Sequence, residues 1–120
     1  DGRSVNISDL FRRIETDFQQ LLPKGIQLEI TVEGERASAE LANALLLTVN
    51  EFVSNSLKHG FPDSKGTISA RIKITADDWS LACADDGGAD AAAAVRAQPT
   101  WYAADGGMQL SLHGARNRNL

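Results

Sequence analysis

Only one cysteine, Cys83, occurs in the 120 residues, so no disulfide can form within the chain, and the composition fits a reducing compartment. Long apolar runs are also missing. The longest, Ala42 to Val49, is interrupted by Asn43 and Thr48 and falls far short of the roughly 20 residues that span a bilayer. This excludes direct membrane insertion by a helix. No signal peptide opens the chain, so nothing directs it outside the cell, and a cytoplasmic location is expected. An excess of positive charge is missing too: 12 basic against 16 acidic residues give a net charge of −4, which argues against a nucleic-acid partner, since that wants a basic surface. Repeats and long linkers are absent as well. Asp1 in place of Met suggests a cut or processed N-terminus with sequence upstream. What remains is ordinary globular material, 42% hydrophobic, at the common size for a single domain over residues 1–120.

The chain alternates helix and strand signals. Ser8-Asp9 reads as a cap opening a helix to about Leu22, with Leu10, Ile14, Phe18 and Leu21 or Leu22 as its apolar stripe, and Pro23-Lys24-Gly25 ends it. Ile26, Leu28, Ile30 and Val32 alternate with polar residues, as a half-buried strand does. After a loop from Glu33 to Ser38, a second helix is expected from about Ala39 to Lys58. Phe61 to Gly66 is a turn, punctuated by Pro62 and Gly66. Ile68, Ala70, Ile72 and Ile74 alternate through Thr67 to Thr75 and put Arg71 and Lys73 on the outer face. Asp77-Asp78 makes a hairpin turn into a strand from Trp79 to Ala84. Strands paired beneath helices on one face predict a two-layer α/β sandwich.

Two stretches carry chemistry. In the second helix, Glu51, Asn55 and Lys58 fall within an arc of roughly 60°, while Leu45, Val49, Phe52, Val53 and Leu57 cover the other side. A carboxylate can orient water or a nucleophile, an amide oxygen suits a hard cation, and an ammonium can meet phosphate. Together they suit nucleotide chemistry, and the alternative is a solvated helix face with accidental spacing. The second stretch is Ala84-Asp85-Asp86-Gly87-Gly88, where the last clear strand stops. A carboxylate there can accept a hydrogen bond from an exocyclic amino group, and the glycines let a flat ring approach the backbone. An ordinary hairpin turn is the alternative.

Leu46-Leu47-Thr48-Val49-Asn50-Glu51-Phe52-Val53-Ser54-Asn55-Ser56-Leu57-Lys58-His59-Gly60-Phe61-Pro62-Asp63, followed by two strands and Asp85-x-Gly87, resembles the catalytic ATP-binding domain of sensor histidine kinases. That domain belongs to the wider gyrase, Hsp90, histidine-kinase and MutL (GHKL) superfamily, with its Bergerat-type fold. The Lys-His-x-Phe-Pro ending most resembles the subgroup with the second histidine-kinase dimerisation type (HisKA_2) and its HWE relatives. The resemblance covers about residues 5 to 112. It implies ATP and Mg²⁺ as ligands, with Asn55 as the Mg²⁺ ligand and Glu51 as the acid that orients or deprotonates the attacking imidazole. Lys58 and His59 would face the phosphates, Asp85 would read adenine, and Gly87 would lie beneath the purine. Gly107 would stand for the later glycine box. No Walker-type glycine loop occurs, so phosphate charge would be met by Mg²⁺, Lys58 and backbone amides of a lid over residues 88–107.

The sequence departs from that pattern in three places. Asp-x-Gly-x-Gly becomes Asp85-Asp86-Gly87-Gly88-Ala89, and the later Gly-x-Gly-Leu box is reduced to Gly107-Met108-Gln109-Leu110. After Leu110 the family continues with a long helix and a final strand, so the sheet is expected to lack an edge strand and part of its helical cover. Neither histidine is placed as a phosphoacceptor. His113 reads as a surface residue, Cys83 as core, and the acceptor would sit on a separate dimerisation domain. The partners implied are that domain, a response regulator and a homodimeric arrangement. Two rivals share the fold: an anti-sigma-factor serine kinase, which would bind a sigma factor, and a degenerate module that serves as a protein-docking platform.

Overall fold

The computed structural model describes residues 4–59, 61, 65–86, 102–104 and 107–116. Its first helix, α1 (Ile7–Leu21), follows a short strand, β1 (Ser4–Asn6). The cap lies two residues earlier than Ser8. Asn6 keeps extended dihedrals and its Oδ1 accepts from Asp9 N at 2.9 Å, while Asp9 adds a carboxylate to the positive end of the helix. Ile7 and Phe11 are fully buried in the core, and Leu10, Ile14, Phe18 and Leu22 pack against that core. Leu22 therefore completes the stripe, and Leu21 is 82% exposed.

β2 (Ile26–Glu33) buries Ile26 and Leu28 and sets Gln27, Glu29, Thr31 and Glu33 outward. Gly34, at φ 118°, then turns the chain tightly against Ile74. The stretch expected as a loop holds a strand, β3 (Arg36–Ser38), which pairs antiparallel with β1. The Ser38 hydroxyl accepts from Leu41 N at 3.1 Å and so caps α2 (Ala39–His59). β4 (Gly66–Ile74) and β5 (Asp78–Asp85) form the expected hairpin. Its turn is tied by Thr75 Oγ1, which accepts from Asp77 N and Asp78 N and donates to Asp78 Oδ1.

With β6 (Tyr102–Ala104) and β7 (Gly107–Ala115) the described residues form a five-stranded mixed sheet in the order β2-β4-β5-β7-β6. β2 and β4 run parallel, joined by the crossover through α2, and the other neighbours are antiparallel. This corrects the expectation for the end of the chain. The residues after Leu110 continue as a strand, so the described sheet has strands beyond β5 where an edge strand was expected to be missing, while no third helix occurs among the described residues. The cause is a period of two: Met108 and Leu110 are buried while Ser111 and His113 are exposed. α1 packs over β2, and α2 over β4 and β5, so the helices share one face of the sheet. Arg71 and Lys73 are exposed on the other, as expected, and Lys73 lies 4.0 Å from Glu33.

Candidate functional site

The buried positions of α2 are Ala42, Leu45, Val49, Phe52, Val53 and Ser56. If Phe52 defines 0°, Ser56 lies at about 40°, Val49 at about 60° and Leu57 at about 140°. Ser56 therefore sits at the middle of the inward arc and is 0% exposed, whereas Leu57 lies on its margin and is 36% exposed. The expected apolar side thus ends in a serine, not a leucine. Among the described residues the Ser56 hydroxyl has no hydrogen-bond partner. Glu51 and Lys58 are exposed, and Asn55 is half-buried at the rim between them and the core. This polar side is carried by a helix anchored in the core through Phe52 and Val49.

The far end of β5 is built around two carboxylates that replace main-chain acceptors. Asp85 is 8% exposed, and its Oδ1 accepts from Met108 N at 3.0 Å, one step beyond the last β5–β7 pair, Ala84 with Gln109. Asp86 does the same on the other side, where Oδ1 accepts from Thr67 N at 2.7 Å while Asp86 N donates to Thr67 O. Between them these side chains finish both ladders and fix the end of the strand.

Phe61 ties α2 to this end. It is buried two residues beyond His59, a reach of about 7 Å at most. A methyl group added to Gly66 would strike the Phe61 ring and come within 2.6 Å of Asp86 Oδ1. Gly66 has φ 151°, which only glycine adopts readily, so the ring, the start of β4 and the end of β5 close on one another there. The last turn of α2, with Asn55 and Lys58, thus lies at the same end of the sheet as Asp85. Gly107 comes to it too: it opens β7 opposite Ala104 and precedes Met108, whose amide Asp85 holds. His59 closes α2. Gly87, Gly88 and Ala89 lie outside the described residues, as does the expected lid over 88–107 apart from Tyr102–Ala104 and Gly107.

Three of these contributors went unread in the sequence. Ser56 looks like any helix serine until its angle is compared with the buried set. Asp86 and Met108 act through main-chain contacts that no spacing reveals. Cys83, two residues before Asp85 on the same inward side, is buried among apolar groups, and burial pushes its thiol up to about 12. It belongs to the core.

Among the described residues no group of three or more His, Cys, Asp or Glu side chains could hold a metal ion. A magnesium ion bound with a nucleotide needs no such cage, because it takes one or two protein oxygens and completes its shell with phosphates and water. The rim position of Asn55, one turn from the Glu51 carboxylate, suits that mode. Two shallow grooves run along α1, one lined by Asp9, Arg12 and Asp17 and one by Glu15, Gln19 and Gln27, and neither includes a residue of this site. Among the described residues no helix is long and apolar enough to cross a membrane.

The sequence matches no family model and no curated protein. The structure does match. The histidine kinase domain of the blue-light activated histidine kinase EL346 from Erythrobacter litoralis superposes with a TM-score of 0.70 at 18% identity, over 91% of this chain and 60% of that one. The chain therefore spans about three fifths of that domain. The catalytic domain of histidine kinase ThkA superposes with a TM-score of 0.61 at 11% identity, over 95% of this chain and 97% of that one. ThkA in complex with the response regulator protein TrrA gives a TM-score of 0.57 at 9% identity, over 96% of this chain and 42% of that one. At such identities the likeness is one of fold, and the chain has the fold of histidine kinase catalytic domains.

Proposed function

We propose that the chain is the ATP- and Mg²⁺-binding catalytic domain of a two-component sensor histidine kinase of the HisKA_2/HWE type. In this reading it is a single cytoplasmic domain that donates the γ-phosphate of ATP to a histidine on a separate dimerisation domain. The observation that carries it is the convergence of the α2 rim with the buried Asp85 at one end of a sheet with the kinase fold.

Each residue then has a task that fits its setting. Asp85 accepts from the exocyclic amino group of adenine while its Oδ1 stays fixed by Met108 N. The buried Ser56 hydroxyl supplies a further polar contact at the floor of the site. Lys58 offsets phosphate charge from an exposed position, with His59 beside it in the chain. Asn55 and the phosphates would hold Mg²⁺, which when bound neutralises the developing charge on the transferred group. Glu51 receives the imidazole proton as the new P–N bond forms and the β–γ bridging oxygen leaves with ADP. Positioning and charge neutralisation do most of the work in such a transfer. The partners are the dimerisation domain, arranged as a homodimer, and a response regulator, the kind of partner that ThkA has in its complex with TrrA.

A second reading has its own observation. Gly107 opens a nine-residue strand, in a hairpin with β6, where the phosphate-facing glycine box would lead into a helix. This favours the degenerate docking module over an intact catalytic apparatus. Calorimetry with ATP and Mg²⁺ decides between the two. The kinase reading requires heat of binding in the parent whose Mg²⁺-dependent part is lost in Asn55→Ala, and a parent without binding overturns it. Labelled ATP with a histidine-bearing hairpin should then give an acid-labile product, whereas an acid-stable one would assign serine transfer, the anti-sigma-factor alternative.

A further inference from the structure

Among the described residues β2 is an edge strand, at one end of the sheet order, and its outward backbone groups belong to even-numbered residues, since Gly25 O already bonds Gly66 N on the β4 side. α1 meets that edge with two side chains one turn apart. Gln19 Nε2 donates to Ile26 O at 2.8 Å, and Gln19 Oε1 accepts from Leu28 N at 2.8 Å. Glu15 Oε2 accepts from Ile30 N. A primary amide is chemically a peptide group. By bonding the carbonyl before Gln27 and the amide after it, Gln19 reproduces what one residue of a parallel neighbouring strand would do. Beneath these contacts lies a groove of about 350 Å³ lined by Glu15, Gln19 and Gln27.

Edge strands invite pairing with other chains, and in Ile26–Glu33 the strand formers Ile26, Leu28, Ile30 and Val32 alternate strictly with Gln27, Glu29, Thr31 and Glu33. We propose that Glu15 and Gln19 act as a surrogate strand that closes β2, and that the edge beneath them is an addition site for an extended Ile26–Glu33 segment of a second copy of this chain. Such a segment, centred antiparallel on Ile30, sets Glu29 against Thr31 and Gln27 against Glu33, so no like charges face each other directly. The occupant is an extended segment rather than a folded copy, because a folded copy would bring its own α1 against this one.

The test pairs the full chain with the double variant Glu15→Ala, Gln19→Ala, which keeps good helix formers in α1. Amide exchange at Leu28 and Ile30 should become faster by about tenfold or more, with β4 and β5 unchanged. A fluorescent peptide of residues 26–33 should then bind the variant and not the parent, while a scrambled peptide binds neither. Glu15→Gln retains an acceptor oxygen and should keep Ile30 protected. If the double variant fails to fold, Gln19→Ala alone reports at Leu28 with Ile30 as internal control. Unchanged exchange at both amides, or equal capture of the peptide by parent and variant, would overturn the proposal.

Discussion

The two ends of the helical layer use polar side chains in opposite ways. Along α1, Glu15 and Gln19 spend their hydrogen-bonding capacity on the backbone of β2. Along α2, Glu51 and Lys58 face solvent, and the Ser56 hydroxyl is buried with no partner among the described residues. Both helices are amphipathic and both pack on one sheet, so composition does not separate them. The difference lies in what the polar groups meet. Where they are consumed internally the region is structural; where a well-anchored helix leaves them unused, the proposed reading gives them a nucleotide to meet.

The sharpest way to break that comparison is Asp85, which holds Met108 N and in the proposed reading also meets adenine. Asp85→Ala should leave Met108 N buried without its acceptor, costing about 1–3 kcal/mol in denaturant unfolding, and should abolish ATP binding. Asp85→Asn keeps an oxygen for Met108 N but turns an amino group toward adenine. Stability should stay within about 1 kcal/mol of the parent, while affinity falls tenfold or more, about 1.4 kcal/mol. Equal losses of both in Asp85→Asn would mean that the carboxylate is only a strand terminator.

Asn55→Ala tests the rim. Because Asn55 is half-buried and outside the core, unfolding should shift by no more than about 0.5 kcal/mol, while the Mg²⁺-dependent part of ATP affinity disappears. Removing Gln19 and Glu15 together should do the reverse: about 1–3 kcal/mol off stability from three lost backbone contacts, and no change in ATP affinity. Ser56→Ala comes next in size. Removing a buried hydroxyl that lacks a partner among the described residues should leave stability equal or higher by up to about 1 kcal/mol, yet weaken ATP binding several-fold.

Much of this was legible in the sequence because it obeys a period. β2, β4 and β5 alternate cleanly, and the α2 stripe is helical, so the two-layer architecture and the outward Arg71 and Lys73 followed directly. What escaped was short, long-range or overshadowed. β1 and β3 have three residues each and pair across more than thirty positions, Ser4 with Ser38, which no local pattern encodes. Asn6 caps α1 because of its extended backbone, not its composition alone. β7 carried a readable alternation at Met108 and Leu110, but its glycines resemble a phosphate box that leads into a helix, and that likeness concealed the strand. At the candidate site, residue types singled out Glu51, Asn55, Lys58 and Asp85 as candidates, and the fold brings the end of α2 and Asp85 to one end of the sheet. The roles of Asp86 and Met108 depend on where two ladders end, which only the folded register determines.

The smallest effect probes the inward side of β5, where Cys83 and Asp85 stand two residues apart. Asp85 marks the point where that side becomes polar, while Cys83 lies within the apolar layer, and burial raises its thiol from 9.0 to about 12. The folded state therefore favours the neutral thiol, and this contribution is fully present below the unfolded value. As pH rises from 9.0 toward 12 the unfolded chain loses its proton first, so stability should fall with pH, by about 1 kcal/mol near pH 10. Chemical unfolding at pH 8 and pH 10, with Cys83→Ala as the reference that lacks this slope, measures the difference. A disulfide-exchange reagent at pH 8 should modify Cys83 only at the rate of unfolding; rapid modification of the folded chain would mean that the apolar layer is open at β5 and that its boundary with the polar end lies earlier than Asp85.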